Sequence, residues 1–513
     1  MTVRSIGRWC VVALAATLLS SLLHPGALAQ SGAQSGAQSG AQSGAPASFA
    51  AVVDALNDQP SQRVTEVKRS WKPVFDAYLD MTAPPFRIGA PPSGGAVDAH
   101  FEIDTVHPKM KQWATISEWA KANGAIAEML HKVRDSVGFA MPYGKSNVDE
   151  KYHAKRLFVD VGVGGNLRRV EYPYLAAIDS IATFAIVEMY RRLEAGEPKQ
   201  AFTVAIDAAR LLRQLCDRVM LAEKSHFFEL LSDSLAAQRD AMWVYRDRIP
   251  NDVFRDIAIK EYPFLAPGRA RLEMPEGERI VAEALLREVF DSRGQAEPDA
   301  FALVFGELQS KDKPLTQFGA ARRWNRIAAV HGSLDASLQR LVNIYDDWWR
   351  RWRMRAYDQM FDLPTELSRT NPIRYGAVIY SIADIQALFD ARKRLVAEVG
   401  GVAMAAGLCG YRNDFKSDPD DHEKTYATYV RKSSDFDPWD KGYGRLLYRF
   451  LGTQRKAVDT PAGRVWVEGG VLYARGKDHE DGDFGDHTAD GSFGDMILWP
   501  PMRALEREQG LRE

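Results

Sequence analysis

Residues 476–495 read GKDHEDGDFGDHTADGSFGD, which places seven carboxylates, five glycines and two histidines within twenty positions. Carboxylates at that density repel one another unless a cation lies among them. Glycines permit the turns that bring oxygens to a common point, and calcium takes such oxygens at about 2.3–2.6 Å. The EF-hand spacing is not met, because counting from Asp481 the sixth position is Asp486 and the twelfth is Ser492, where glycine and glutamate are required. A zinc site built on His479 and His487 is the alternative metal reading, although the excess of carboxylates favours the harder ion. Without a metal the segment reads as a solvated acidic loop.

Short strands flank this loop. Val465-Trp466-Val467 and Val471-Leu472-Tyr473-Ala474 stand on either side of Glu468-Gly469-Gly470 and read as a hairpin. Met496-Ile497-Leu498-Trp499 reads as a third strand, stopped by Pro500-Pro501. The acidic segment therefore joins two strands.

Three runs in this region, DPWDKGYGRLLYR (437–449), GGVLYARGKD (469–478) and GDMILWPP (494–501), resemble the soluble half of the major pseudopilin of type II secretion. The resemblance spans about 120 residues and implies an α+β module with a short antiparallel sheet around bound calcium. It implies Asp478 and Asp495 as carboxylate ligands and Leu472 and Ala474 as backbone carbonyl donors, with Asp481 and Asp483 added by their position in the loop. It also implies that the helix read from Ile382 to Leu408 precedes the sheet. Ala474 stands where the family has serine, and His479 where it has glycine. The N-terminus has an ordinary leader where a pseudopilin has its filament-forming helix, so assembly into a pseudopilus is not expected.

The rest of the chain reads as helical. Trp113, Ile116, Trp119 or Ala120, Asn123, Ile126 and Leu130 fall on one helical stripe. Ile178, Ile181, Ala182, Ala185 and Met189 fall on another, and Phe202, Ala205, Ala208, Leu212, Leu215 and Val219 on a third. Gly196 and Pro198 between the last two mark a helix stop and start, predicting an antiparallel hairpin. Further helices are expected from Phe227 to Tyr245 and from Glu278 to Phe290. In DDWWRRWRMR (346–355), Trp348 and Trp352 continue a stripe through Leu338, Leu341 and Tyr345, so a core helix is favoured over a base-stacking platform. Arg350, Arg351, Arg353 and Arg355 lie largely off that stripe. The runs 117–130 and 190–202 resemble a family of exported bacterial helical proteins that end in the same module, a family that brings no known activity.

The fold class expected is mainly α, a multi-helix bundle or irregular array followed by a small pseudopilin-like α+β domain. The expected division is a signal peptide at 1–29, an AQSG-repeat linker at 30–46, a helical body at 47–378, the module at 379–501 and a tail at 502–513. The leader reading rests on Arg4 and Arg8, the apolar run from Trp9 to Leu23, and the small-x-small site at 27–29. Fifteen apolar residues fall short of the roughly 20 that span a bilayer. The chain is thus expected to be exported, to the periplasm, cell surface or exterior, and to carry no span after cleavage.

Lys and Arg number 66 against 68 acids, a net charge of -2 that offers no global field to nucleic acid. With Cys10 in the leader, the mature chain keeps Cys216 and Cys409, which read as buried small hydrophobes or, in an oxidising compartment, a disulfide. No HExxH, GxSxG, GxxxxGK[ST] or CxxC motif occurs, and Gly162-Val163-Gly164-Gly165 reads as a turn. No residue is assigned a catalytic or organic-cofactor role. The function expected is an exported non-enzymatic binding or scaffold protein with structural calcium and a protein or cell-envelope partner. The alternatives are an exported hydrolase with its site in a groove of the helical body, and an accessory of a type II secretion apparatus.

Overall fold

The computed structural model describes residues 49–512 apart from 86, 89–99, 102, 262–271, 313–316, 355–356 and 443. The leader and the AQSG linker lie outside the described residues, as do Cys10 and Arg355.

The chain is mainly helical, with a small antiparallel sheet region near its C-terminus. Helix α1 (Leu175–Glu194) and α2 (Pro198–Leu215) form the expected hairpin. Gly196 turns it at φ +78°, and Pro198 opens α2 where its missing N–H costs nothing. Both expected stripes are buried. Helix α3 (Leu221–Tyr245) packs on this hairpin, and α4 (Gly277–Val289) and α5 (Leu334–Arg353) pack on one another.

In α5 the stripe of Leu341, Tyr345, Trp348 and Trp352 is buried as expected, but Arg351 departs from the reading. It is also buried, because Asp347 pairs with it at 3.1 Å and the carbonyls of Met360, Leu363 and Pro364 accept its N–H groups. The single helix expected across 113–130 is two, Trp113–Ala122 and Ala125–Val133. Asn123 makes the break: its Nδ2 donates to Trp119 O at 2.7 Å, while its Oδ1 accepts from Thr82 N at 2.9 Å. Gly162, Gly164 and Gly165 form a turn with positive φ.

Helix α6 runs 30 residues, Gln386–Phe415, and packs lengthwise on α3. Its small residues allow the later segments of the chain to approach closely. A Cβ on Gly401 would stand 2.9 Å from Leu498, and one on Gly400 only 2.5 Å from the Ser434 carbonyl oxygen.

The sheet region contains β1 (Leu447–Phe450), β2 (Lys456–Thr460), β3 (Gly463–Val467), β4 (Gly470–Ala474) and β5 (Met496–Trp499). β1, β4 and β5 form one antiparallel sheet in the order β1-β4-β5, and β2 pairs with β3 in a separate hairpin. The expected hairpin of 465–467 with 471–474 is therefore not formed. Gly469, at φ +76°, turns the chain between two different sheets, and Leu451 N binds its carbonyl at 2.7 Å. The overlooked partner of β3 is β2, whose polar Lys456 and Asp459 obscure a buried Val458. The third strand stands as read, beside β4, and every residue of β4 is buried, as its continuous apolar run requires.

One hydrophobic core runs from Val52 to Trp499, through both the helical body and α6. The division expected at 378/379 thus falls inside a shared core. A smaller cluster of Val458, Val465, Val467, Val471, Tyr473, Phe484 and Leu505 lies under the sheet. The C-terminal residues form helix α7 (Met502–Glu508), tied to α3 where Arg507 meets Asp240 at 2.9 Å. Gln509 exchanges two hydrogen bonds with the Trp466 backbone, filling the outer edge of β3. Among the described residues no helix is long and apolar enough to cross a membrane.

Candidate metal centre

The acidic loop leaves the end of β4 and re-enters at β5, so its two ends are fixed by neighbouring strands. Gly476 (φ +74°) and Gly494 (φ +66°) close its neck. A Cβ on Gly476 would stand 2.0 Å from Gly494 O, and one on Gly494 2.3 Å from Asp486 O. Only glycine allows the two chain segments to meet there.

Asp495 sits at the centre and is fully buried. Its Oδ2 accepts from Phe484 N at 2.7 Å, while its Oδ1 is buried without a hydrogen-bond partner. Burial pushes its carboxyl up to about 7; the carboxylates of Asp481 and Asp478 push the same way, and the Phe484 and Gly482 amides oppose them. An unmatched buried carboxylate oxygen within electrostatic reach of two further carboxylates is costly for the fold.

Asp478 and Asp481 are exposed and locally braced. Asp478 accepts from Glu480 N at 3.2 Å and from Gly494 N at 3.1 Å. Asp481 Oδ1 accepts from the Tyr473 hydroxyl and from Asp483 N, each at 3.0 Å. Asp483 is differently placed: Arg449 Nε and Lys456 Nζ each donate to it at 2.8 Å. Burial raises its pKa, but these two cations outweigh burial and hold the carboxyl below its ordinary value. Leu472 and Ala474 lie buried in the central strand β4, opposite Trp499 and Met496 respectively.

The two histidines are directed elsewhere. His479 Nδ1 lies 2.6 Å from Trp439 O and its ring packs against Tyr357, while His487 stands beside Asp495 in a backbone bridge. Among the described residues no group of three or more His, Cys, Asp or Glu side chains is arranged to hold a metal ion. Asp481 and Asp478 act on Asp495 electrostatically without forming such a group, and the oxygen chemistry of this loop suits a hard cation better than zinc.

Sequence reading missed the support beneath the loop. Asp437, the first residue of the DPWD turn, is fully buried. It accepts from Trp439 N at 2.9 Å, Arg475 N at 3.1 Å and Arg475 Nη1 at 3.2 Å. Asp440 pairs with the same guanidinium at 3.0 Å. These bonds anchor the loop entrance at Arg475. Lys477 reaches Asp390 on α6 at 2.7 Å and ties the loop to the helical body. The Asx-type bond from Trp439 N to Asp437 was the available signal.

Cys216 and Cys409 are both buried free thiols. Burial pushes the Cys216 thiol up to about 12 and raises Cys409 as well. Comparison with protein-family models, curated proteins and solved structures finds no match to this chain.

Proposed function

We propose that the chain is an exported binding or scaffold protein, without catalysis of its own, whose C-terminal module is stabilised by calcium. The observation that supports this reading is the buried Asp495 Oδ1, which no donor meets, beside Asp478 and Asp481. In this reading Asp495, Asp478 and Asp481 supply carboxylate oxygens and the ion removes their mutual repulsion. Asp483 serves instead as an anchor for Arg449 and Lys456. Leu472 and Ala474 stay as proposed carbonyl donors from β4.

The sheet β1-β4-β5, with α6 before it and the acidic loop between β4 and β5, supports reading this end as pseudopilin-like. The basic start, apolar run and small-x-small site of the first thirty residues support export. Extracellular calcium sites work at about 10⁻⁴–10⁻³ M, so the ion would complete the module only after the chain leaves a calcium-poor cytoplasm. The helical surface then presents the partner-binding face, toward a protein or cell-envelope component.

A thermal melt of residues 30–513 with calcium, with zinc and with chelator tests the reading. Ligand at 100 times its dissociation constant adds about 2.7 kcal/mol, so a selective upward shift of roughly 3 °C with calcium is expected. Equal melting in all three conditions contradicts it.

A further inference from the structure

Away from the acidic loop, the helical body carries a basic surface. The helix Gln317–Ala328 is amphipathic: Ala320, Trp324, Ile327 and Ala328 are buried, while Arg322, Arg323 and Arg326 are exposed. Arg322 and Arg323 stand four and three positions before Arg326, so the three guanidiniums rise from one face. On the opposite face the Trp324 ring packs against Phe305 and Tyr380, with ring centroids 4.9 Å and 5.1 Å away. The core beneath the helix thus sets the direction of the arginines.

The surface continues past the end of this helix. Gly332 N donates to Arg374 O at 2.8 Å, and Ala377 N donates to His331 Nε2 at 3.1 Å. These bonds seat the turn at 371–374 against the residues that follow Arg326. Asn371 Oδ1 accepts from Ile373 N and Arg374 N, each at 2.9 Å, and fixes the turn with both of these side chains exposed. Val330 is 60% exposed and Ile373 55%. Two aliphatic side chains and four arginines therefore share one stretch of surface.

Among the described residues no carboxylate pairs with Arg322, Arg323, Arg326 or Arg374. Glu366 is taken by Arg340 at 3.1 Å and by Arg369 at 3.8 Å, and Asp335 at the start of α5 is an exposed acid set against four cations. Like charges held this close favour an anionic partner, and exposed aliphatic side chains among them favour an apolar one. A polyanion in water meets the first demand only. An anionic bilayer meets both, because its phosphates accept from guanidinium groups and its acyl boundary takes aliphatic side chains. We propose that Arg322, Arg323, Arg326 and Arg374, with Val330 and Ile373 among them, form a peripheral docking surface for an anionic lipid bilayer. This names the partner of the helical surface and rests on the reading of that surface as a binding face, but it does not depend on calcium.

The test is sedimentation of residues 30–513 with vesicles of equal parts phosphatidylglycerol and phosphatidylcholine, against phosphatidylcholine alone, in chelator so that the acidic loop plays no part. Binding to the anionic vesicles alone is expected. Each arginine near such a surface contributes about fivefold in affinity, so Arg323→Gln with Arg326→Gln should weaken binding about 25-fold. Arg350→Gln with Arg353→Gln removes the same charge about 24 Å along α5 from Leu334, beyond the screening length, and should leave affinity within about twofold. Val330→Ser with Ile373→Ser should weaken vesicle binding about tenfold and leave retention on heparin, a polyanion without acyl chains, unchanged. Every changed side chain is exposed, so parent-like melting accompanies each variant and separates binding loss from unfolding. Three results overturn the proposal: no binding of the parent to anionic vesicles, equal loss in the two arginine pairs, or vesicle binding left intact by Val330→Ser with Ile373→Ser. The last assigns the surface to a polyanion instead. The calcium melt of the same protein reads the proposed function separately, so either can fail alone.

Discussion

Phe484 and Asp495 are joined across the acidic loop by a 2.7 Å hydrogen bond from the Phe484 amide to Asp495 Oδ2. Phe484 takes a left-handed φ of +49° and buries its ring against Tyr473. The backbone is thus held in an uncommon conformation that aims an N–H at one carboxylate oxygen and leaves the other bare. In the proposed reading, a cation would bind at that bare oxygen.

The buttress under the loop should be indispensable to stability. Asp437→Ala removes the acceptor for two backbone amides and one guanidinium N–H in a buried place. Removing one partner of such a buried charged network costs about 3–5 kcal/mol. Chemical denaturation should show a loss of that order, with calcium unable to restore the parent value.

The glycines of α6 should reverse the usual helix rule. Gly→Ala within a helix normally stabilises by about 1 kcal/mol, but a Cβ on Gly400 would lie 2.5 Å from the Ser434 carbonyl. Gly400→Ala is therefore expected to destabilise by about 1–3 kcal/mol. A stability equal to or above the parent in a denaturant titration would show that α6 and the 432–434 turn are not packed as described.

Glu278 sets a pH dependence. Burial raises its pKa to about 7, against 4.5 for the ordinary group, so the folded chain holds a proton there that the unfolded chain has released. Between about pH 4.5 and 7 the folded state binds more protons, and stability contributed by this group falls as pH rises through that window. Glu278→Gln should therefore match the parent near pH 5 and exceed it at pH 8, by about 1–3 kcal/mol. Guanidinium titrations at the two pH values read the difference directly.

Both thiols should be silent. Burial raises the pKa of Cys216 and of Cys409, so neither is a thiolate near neutral pH. Residues 30–513 should react with Ellman's reagent at pH 8 only in denaturant, then with two equivalents. Reductant should leave the melting temperature unchanged.

The helical stripes were legible because their period matches the face they bury: Ile178 to Met189 and Phe202 to Leu215 needed no tertiary information. Trp348 and Trp352 were legible in the same way, whereas Arg351 was not. A buried arginine depends on carbonyls supplied by 360–364, which periodicity does not contain. The break at Asn123 failed for a related reason, since its side chain serves Thr82, 41 positions away. The hairpin between 465 and 474 was misread because Gly469 makes a change of sheet look like a two-strand turn. At the loop, the identity of the acids was visible in the sequence, but their division of labour was not. Asp483 is claimed by Arg449 and Lys456, 34 and 27 positions away, while Asp495 is the member buried with a free oxygen.

The most direct measurement is isothermal titration of calcium into chelator-treated residues 30–513, with the parent and Asp495→Asn side by side. One site of submillimolar affinity in the parent, absent in Asp495→Asn and unmoved by Asp483→Asn, is the predicted result. No heat of binding in the parent, or binding of equal affinity in Asp495→Asn, would contradict a calcium-stabilised module centred on Asp495.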